Sequence, residues 1–287
     1  MNILLLGSSG LLGRKIYENI KQVGKLNLFH NGKRKRKYNL ERINNLKKII
    51  FKSKPNLIIN ALGFTNIDLC EKNKKSYLVN VKIIKNIFLI KKKFKLKFNF
   101  IQFSTDQIYD SKNKRFNTEN STTVINNKYS KQKLDAEKIC LKNNALVFRT
   151  NFFGKTKFKN SSFTDWVFRK FNEKKNFYLF KDIFFNPLRT DTISKIILKI
   201  ILQNKTNLRG LYNLSSKGFI NKSNFAIKFA KKTKIYNKNY TIINSTRIFN
   251  VKRSRNMLMN NNKFIRDFKI KLPSINDEIK NESKNYK

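Results

Sequence analysis

The chain has 287 residues, and 64 lysines and arginines against 17 aspartates and glutamates give it a formal net charge of +47. This length allows one sizeable domain or two small ones. Its 40% hydrophobic and 13% aromatic residues can form a buried core, which excludes a disordered basic tail. The single histidine, His30, excludes multi-histidine metal sites and disfavours hydrolases that need a catalytic histidine. No metal site is predicted.

The positive charge is spread along the whole chain instead of forming one basic arm. Lysine, asparagine, isoleucine and phenylalanine are abundant together, whereas there are only 9 glycines and 3 prolines, as expected if A/T-rich codons are favoured. We therefore expect no specific nucleic-acid partner. The alternative, a charge that serves a polyanionic partner, predicts salt-sensitive affinity for DNA or RNA.

The cysteines and the apolar stretches indicate the compartment. Cys70 and Cys140 are isolated and lack CxxC spacing, so we expect two buried free thiols and no disulfide. Residues 1–6 are too few for the apolar core of a signal peptide, and the later apolar stretch 196–202 contains Lys199. These features predict a cytoplasmic protein without membrane association.

Short apolar runs bounded by turn residues alternate with longer segments of helical periodicity, the order expected of βαβ units. The runs that predict strands are nearly continuous, as in strands covered on both faces, and lie at 3–6, 26–29, 57–60, 98–103 and 146–148. The helices between them are predicted at 11–23, 41–52, 76–92 and 126–142. This alternation predicts an α/β fold with a Rossmann-like doubly wound parallel sheet.

Beyond about residue 149 the pattern is less regular. Helical periodicity recurs at 162–171, 190–203 and 221–232, with a strand-like run at 210–214. We expect a Rossmann-like domain at 1–150 and a smaller C-terminal lobe at 151–287, from which some segments return to the first domain. The polar tail after Asn276 is predicted to fray.

The segment after the first predicted strand carries three glycines. Residues 2–14 read NILLLGSSGLLGR, with Gly7, Gly10 and Gly13 at the turn from strand to helix. Glycine there permits positive φ and close backbone approach, and the N–H groups of the helix start can bind a pyrophosphate. We predict that these glycines, with Leu11 and Leu12 at the helix start, bind a dinucleotide. The GxxGxxG spacing differs from the GxGxxG fingerprint of dinucleotide-binding folds. The prediction therefore rests on the way in which a glycine turn and a helix start bind phosphate, and not on a match to that fingerprint.

The end of the second predicted strand bears on the choice of cofactor. NAD-binding folds usually place an acidic residue about 20 residues after the glycines to bind the ribose 2′-OH. Here the stretch 30–34 reads HNGKR and contains no acid. Lys33 and Arg34 are expected to bind a 2′-phosphate instead, which favours NADPH, with NADH as the alternative. The basic run 33–37 has a second interpretation, a solvated loop.

Seven segments together resemble the dTDP-4-dehydrorhamnose reductase family, which are sugar-nucleotide reductases of the extended short-chain dehydrogenase type. They are GSSGLLG at 7–13, NALGFTNIDLCE at 60–71, STDQIYD at 104–110, YSKQKLDAE at 129–137, FRTNFFG at 148–154, GLYNLSS at 210–216 and RSRN at 253–256. Each is weak alone, but they occur in the family's order across nearly the full chain. The resemblance implies an NAD(P)-dependent oxidoreductase that reduces the C4 keto group of a nucleotide-linked 6-deoxy sugar. The simplest case is dTDP-4-dehydro-L-rhamnose to dTDP-L-rhamnose, for cell-surface polysaccharide. It also makes 1–150 the NAD(P)-binding domain and 151–287 mainly the substrate-binding lobe.

The resemblance assigns catalysis to Tyr129, Lys133 and Thr105. Tyr129 would protonate the C4 oxygen, Thr105 would hydrogen-bond to the same oxygen, and Lys133 would hold the nicotinamide ribose. A free phenol has a pKa of about 10 and is a poor proton donor at neutral pH, and a nearby Lys133 ammonium is expected to lower that pKa.

The YxxxK spacing of Tyr129 and Lys133 places both on one helix face, one turn apart. Tyr17 and Lys21 have the same spacing. Only Tyr129 follows a predicted strand that ends in Ser-Thr-Asp, at the sheet edge where ligands bind. The alternatives are a packed helix aromatic for Tyr129 and a hydroxyl that caps a turn for Thr105.

The resemblance further implies residues that bind the cofactor and the substrate. The end of the third strand passes along the cofactor, and the expected neighbours are Ala61, Leu62, Gly63 and Thr65. Asp106 and Phe152 are expected to contact the sugar of the substrate. Arg253, Arg255 and Asn256 lie where the family has Arg-Pro-x-Asn and are expected to bind the nucleotide diphosphate. A simple βα turn is the alternative for 61–65, and a core aromatic is the alternative for Phe152.

Three departures from the family pattern concern the substrate more than the reaction. Gln107 stands where an aromatic or His is usual, Ser111 where Gly is usual, and Ser254 where Pro is usual. Two other hypotheses therefore stay open: a reductase of a different sugar nucleotide, and a non-catalytic dinucleotide-binding subunit that regulates a partner enzyme. The complete Thr-Tyr-Lys trio argues against the second. A nucleotide sugar is the expected partner, and a homodimer is left open.

Overall fold

A computed structural model of the chain describes residues 1–31, 39–156, 162–173 and 175–286. It forms two compact units, each built from three stretches of chain. Unit 1 comprises Met1–Thr105, Asn127–Arg149 and Ile193–Tyr212; unit 2 comprises Asp106–Asn126, Thr150–Thr192 and Asn213–Lys287. Within the described ranges, no helix has the length and apolar character needed to cross a bilayer.

The strands in chain order are β1 Asn2–Leu6, β2 Asn27–His30, β3 Leu57–Asn60, β4 Asn99–Phe103, β5 Leu146–Thr150, β6 Phe152–Phe153, β7 Phe177–Phe180, β8 Phe184–Phe185, β9 Leu188–Arg189, β10 Gly210–Leu214, β11 Ile220–Asn221 and β12 Tyr240–Ile243. The helices are α1 Leu11–Lys21, α2 Ile43–Ser53, α3 Ile67–Lys72, α4 Lys75–Tyr77, α5 Ile83–Lys93, α6 Lys128–Lys142, α7 Phe163–Asn172, α8 Thr190–Leu202, α9 Lys222–Lys232, α10 Asn262–Phe268 and α11 Ile275–Ser283. A π-helical turn, Leu78–Lys82, joins α4 to α5.

Six strands form the central sheet in the order β10-β5-β4-β3-β1-β2. Strand β1 pairs in parallel with β2 on one side and β3 on the other, and the β3–β4 and β4–β5 pairs are also parallel. The strand order reverses between β1 and β3, the point at which open α/β sheets bind ligands outside the carboxyl ends of their strands. The predicted doubly wound parallel sheet is confirmed.

The central strands of unit 1 are buried along almost their whole length. Residues 3–6 of β1 and 57–59 of β3 are fully buried, which explains why their sequences show no alternation of polar and apolar residues. On α1, Ile16 and Ile20 are also fully buried, one turn apart on one helix face. The two cysteines are buried free thiols, as predicted.

Unit 2 has a core made largely of aromatic rings. Three two-stranded sheets, β12-β7, β11-β8 and β6-β9, frame it. Phe153 packs edge-on against Phe225 with ring centroids 4.9 Å apart, and Phe171 packs edge-on against Phe177 at 5.0 Å. Such edge-to-face pairs add about 0.5–1.5 kcal/mol each beyond the area that they bury.

The prediction of a frayed tail after Asn276 is wrong, because 275–283 forms helix α11. Ile279 is fully buried in the core of unit 2. The carboxylate of Glu282 accepts a hydrogen bond from Arg189 Nε at 2.9 Å, and that of Glu278 accepts one from Thr192 Oγ1 at 2.8 Å. Two acidic residues thus lie on the buried face of the helix, where paired groups offset their desolvation.

A buried ion pair connects α6 to β5 in unit 1. Arg149 Nε donates to Glu137 Oε2 at 3.1 Å, and a second guanidinium nitrogen donates to Oε1. The two side chains are only 4% and 2% exposed. Removal of one partner leaves the other charge buried without its counter-ion.

We expect Glu137→Ala to lower the free energy of unfolding by about 3–5 kcal/mol, the usual cost of breaking a buried pair. Urea denaturation of the full chain measures this. The control is Asp135→Ala on the same helix, which removes an exposed pair with Lys131 and should cost about 0.5 kcal/mol or less. The double variant Glu137→Leu/Arg149→Met should lose less stability than Glu137→Ala. Equal losses for Glu137→Ala and Asp135→Ala would contradict the prediction.

Candidate active site

The glycine turn after β1 has no room for a side chain at Gly7 or Gly13. Gly7 has φ +84°, and a Cβ added there would lie 2.6 Å from the backbone of Ala61. A Cβ added at Gly13 would lie 2.1 Å from the Gly7 carbonyl oxygen. Gly10 N donates to the same oxygen at 3.0 Å. The three glycines therefore form one tight turn beside the end of β3, at the reversal of strand order.

The start of α1 can bind an anion. Its N-cap is Gly10, and no side chain caps the helix. The N–H groups of the first turn, which includes Leu11 and Leu12, are thus open to a ligand. Leu12 is almost fully buried, so only its backbone can take part. Helix start and glycine turn together fit the phosphates of a dinucleotide.

The end of β2 lies beside the glycine loop. Asn31 Oδ1 accepts from Gly7 N at 2.9 Å, and Ser8 Oγ is 3.3 Å from His30 Nδ1. The His30 ring packs edge-on against Tyr17 at 5.0 Å. Lys33 and Arg34, expected to bind a 2′-phosphate, are outside the described residues.

The loop after β3 is held by a side chain of the π-helical turn. Asn80 Oδ1 accepts from Phe64 N at 2.8 Å, and Asn80 Nδ2 donates to Phe64 O at 3.0 Å. The same amide nitrogen donates to Gln132 Oε1 on α6 at 2.9 Å. This clamp fixes the loop containing Ala61, Leu62, Gly63 and Thr65, of which Gly63 and Thr65 are exposed. Sequence reasoning missed Asn80, because no motif or periodicity marks a lone amide.

The start of α6 is fixed by two sets of hydrogen bonds. Asn127 and Ser130 form a capping box, with Asn127 Oδ1 accepting from Ser130 N at 2.8 Å. Lys128 N donates to Glu71 Oε1 at 2.6 Å, which joins the helix start to α3. Tyr129 follows directly and is 8% exposed. Its position is therefore set by backbone contacts on both sides.

Lys133 lies one turn further along α6 and reaches the end of β4. Its ammonium donates to the Phe103 carbonyl oxygen at 2.6 Å, two residues before Thr105. Gln102 Nε2 donates to the same oxygen at 2.8 Å. Burial lowers the pKa of Lys133 to about 8, against the opposing influence of Cys140 and Glu137. Lys133 is thus a buried cation whose charge changes near physiological pH.

Thr105 is buried just beyond the end of β4. Ser104 N donates to the Phe148 carbonyl oxygen on β5 at 2.7 Å, which continues the sheet pairing to that residue. Thr105 is 4% exposed. Unit 1 therefore contains all three predicted catalytic residues, with Lys133 hydrogen-bonded to the strand that Thr105 follows.

The segment 253–256 of unit 2 is held by the loop at 110–111. Asp110 Oδ1 accepts from the backbone N of Arg255 at 2.8 Å and of Asn256 at 3.1 Å. Asn256 Nδ2 donates to Ser111 O at 2.8 Å. Ser254, where the family has Pro, donates from Oγ to the Gln107 carbonyl oxygen at 2.8 Å. Asn256 thus has a structural contact, while Arg255 presents an exposed side chain.

The other predicted substrate residues also lie in unit 2. Asp106 is 1% exposed, and its Oδ2 accepts from Asn151 Nδ2 at 2.6 Å. Phe152 pairs with Leu188 between β6 and β9 and is partly buried. Arg253 lies with its guanidinium 3.9 Å from the centroid of the Phe249 ring.

A cavity of about 460 Å³ opens among the aromatic residues of unit 2. Its walls include Phe163, Trp166, Phe177 and Phe249, and Lys222 also lines it. This volume falls within the usual range for small-molecule sites, about 300–1,000 Å³. Sequence reasoning missed this cavity, because two lysines and several aromatics are inconspicuous in a chain with 64 basic residues and 26 phenylalanines.

The chain is similar in sequence and in structure to known proteins. The spore coat polysaccharide biosynthesis protein SpsK of Bacillus subtilis is 21% identical over 228 residues, 78% of this chain and 76% of that protein. A dTDP-4-dehydrorhamnose reductase from Clostridium acetobutylicum has a similar structure, with a TM-score of 0.88, 21% identity and 99% of each chain covered. The structure of the dTDP-4-dehydrorhamnose reductase of Bacillus anthracis, solved in complex with NADP, has a TM-score of 0.86 and 19% identity, again with 99% of each chain covered.

These structural similarities confirm the fold. The family is shown by the sequence, because the RmlD substrate binding domain family matches residues 1–287. The predicted resemblance is therefore confirmed, and with it the prediction of an NAD(P)-dependent oxidoreductase. The chain belongs to the RmlD substrate binding domain family.

Proposed function

We propose that this protein reduces the C4 keto group of dTDP-4-dehydro-L-rhamnose with NADPH and so forms dTDP-L-rhamnose. The observation that carries the proposal is the complete Thr105, Tyr129 and Lys133 set in unit 1, with Lys133 hydrogen-bonded to the Phe103 carbonyl oxygen. The similarity to a spore coat polysaccharide biosynthesis protein supports a role in making polysaccharide precursors.

In this mechanism Tyr129 donates its phenolic proton to the C4 oxygen as negative charge develops there. Thr105 donates a hydrogen bond to the same oxygen and fixes its orientation. The Lys133 ammonium, one helix turn from Tyr129, stabilises the phenolate left after proton transfer. The buried environment of all three residues strengthens these interactions, because water screens them poorly there.

We propose that unit 1 binds NADPH, which supplies the hydride. The glycine turn and the uncapped start of α1 fit its pyrophosphate, because side chains at Gly7 and Gly13 would collide with the backbone. The loop 61–65, held by Asn80, offers small residues beside that turn. NADP bound to the Bacillus anthracis reductase supports the preference for NADPH, for which Lys33 and Arg34 are the proposed 2′-phosphate ligands.

We propose that unit 2 binds the nucleotide sugar. Asp106 and Phe152 would contact the sugar, and Arg253, Arg255 and Asn256 would bind or position the diphosphate. The stacked Arg253 and the aromatic cavity support this role, because aromatic rings stack on nucleobases and guanidinium groups bind phosphate.

NADPH oxidation in the presence of dTDP-4-dehydro-L-rhamnose tests the proposal, with the 4-keto-6-deoxy sugars of UDP and GDP as comparisons. We expect turnover with the dTDP sugar and the highest kcat/KM for it. Faster turnover of another sugar nucleotide would reassign the substrate. NADPH binding without turnover of any of these sugars would overturn the enzymatic proposal in favour of a regulatory dinucleotide-binding protein.

A further inference from the structure

Lys222 is the first residue of α9, and it lines the cavity of unit 2. Its backbone N donates to the Ile183 carbonyl oxygen at 2.9 Å, and Asn221 caps the helix by accepting from Asn224 N at 2.8 Å. The side chain extends along the cavity of unit 2, with its ammonium 5.3 Å from the centroid of the Phe163 ring. Within the described part of the chain, this ammonium donates no hydrogen bond to a protein oxygen.

Two charged groups act on the Lys222 ammonium. Asp106 attracts its ammonium, whereas Arg253 repels it. Asp106 already accepts a hydrogen bond from Asn151. Burial, with the repulsion from Arg253, lowers the pKa of Lys222 to about 8, and Asp106 opposes this. An ammonium that is repelled by a neighbouring guanidinium is stabilised when an anion approaches it.

A second lysine on the cavity wall shows the contrast. Lys170 of α7 also lines the cavity, but its ammonium is paired with Glu173 Oε2 at 3.0 Å. It already has a counter-ion within α7 and needs none from a ligand. Tyr178 of β7 is the remaining titratable wall residue, and it is exposed. Lys222 is therefore the lysine of this wall whose ammonium is left to bind a ligand.

We propose that Lys222 is a specificity-determining residue that binds the diphosphate of the nucleotide sugar together with Arg253. The inference rests on the proposed function. It adds Lys222, which lies outside the family motifs, to the residues proposed to bind the diphosphate. Aromatic walls stack a base of any kind, so they contribute affinity with little selectivity. The ammonium makes binding depend on phosphate charge, because a lysine is a compact point charge that prefers anions.

Calorimetric titration of the full chain with dTDP, UDP, GDP and thymidine tests this without any need for turnover. We expect Lys222→Met to bind the preferred diphosphate about 10–100-fold more weakly, the usual worth of hydrogen bonds to charged groups. Binding of the nucleoside should not change. Lys222→Arg keeps the charge and should keep most of the affinity, which controls for misfolding. Lys232→Met, which removes an exposed lysine at the far end of α9, is the matched control and should bind like the wild type.

The pH dependence supplies a second readout. Between about pH 7 and about pH 9 the wild type should lose about tenfold in diphosphate affinity, because about a tenth of Lys222 remains protonated one unit above its pKa. In Lys222→Met this loss should be absent.

The outcomes separate the inference from the proposed function. Equal diphosphate affinity in wild type and Lys222→Met would overturn the inference and leave the reductase proposal intact. Preference for UDP or GDP would change the proposed substrate, while the Lys222 comparison would still be decided with that ligand. A wild type that binds no nucleoside diphosphate would overturn both.

Discussion

Tyr129→Phe is expected to lower kcat for the keto sugar by about 10²–10⁴-fold, the range that a positioned general acid contributes. The ring keeps its place because backbone contacts fix the start of α6, and only the hydroxyl is lost. Affinity for NADPH should therefore not change. Initial rates of NADPH oxidation measure kcat, and fluorescence titration measures cofactor binding.

The second YxxxK pair offers the matched control. Tyr17 packs against the His30 ring, and it lies on α1 rather than α6. Tyr17→Phe should leave kcat within the range of the wild type. A large loss in Tyr17→Phe, or full activity in Tyr129→Phe, would refute the assignment of the proton donor.

Lys133→Met is expected to lower kcat by about 10²–10³-fold, the effect of removing one preorganised donor from a dry site. It should also raise KM for NADPH if Lys133 holds the nicotinamide ribose. The variant is expected to fold, because methionine suits a buried position and the Phe103 carbonyl oxygen keeps its hydrogen bond from Gln102. Lys21→Met is the control with the same spacing on α1.

The pH profile checks the charge of Lys133 separately. Its pKa is lowered to about 8, so the active ammonium form is present below that value and is lost as pH rises through it. The reduction rate of the wild type should therefore fall above about pH 8. A rate that is flat from neutral pH to well above 8 would contradict a catalytic role for this charge.

The sequence predicts the sheet of unit 1 well, because the pattern that marks each strand is local in the sequence. Strands such as β3 are continuous apolar runs between turn residues, so the pattern that defines them lies within a few residues. The glycine turn is equally local, since Gly7, Gly10 and Gly13 meet within a single turn. Of the residues proposed for catalysis, Thr105 follows the end of β4, and Tyr129 and Lys133 lie one turn apart on α6.

Features that depend on distant contacts could not be predicted. Helix α11 was missed because Glu278 and Glu282 lie on its buried face, where their partners are Arg189 and Thr192, far away in sequence. Asp110 holds Asn256 across 146 residues, which no periodicity reveals. The role proposed for Lys222 depends on the cavity that it lines and on the charged groups beside it, and neither is visible in the sequence.

The π-helical turn at Leu78–Lys82 has a consequence for changes in chain length. Such a turn contains one more residue than the regular α-helix around it. Deleting one residue there would restore regular helical hydrogen bonding, but would rotate Asn80 by about 100° and take its amide away from Phe64. The altered protein would have a more regular helix and a looser loop 61–65. Relatives of equal function should therefore keep this extra residue, and alignments that place a gap here would mark chains whose loop is held by other means.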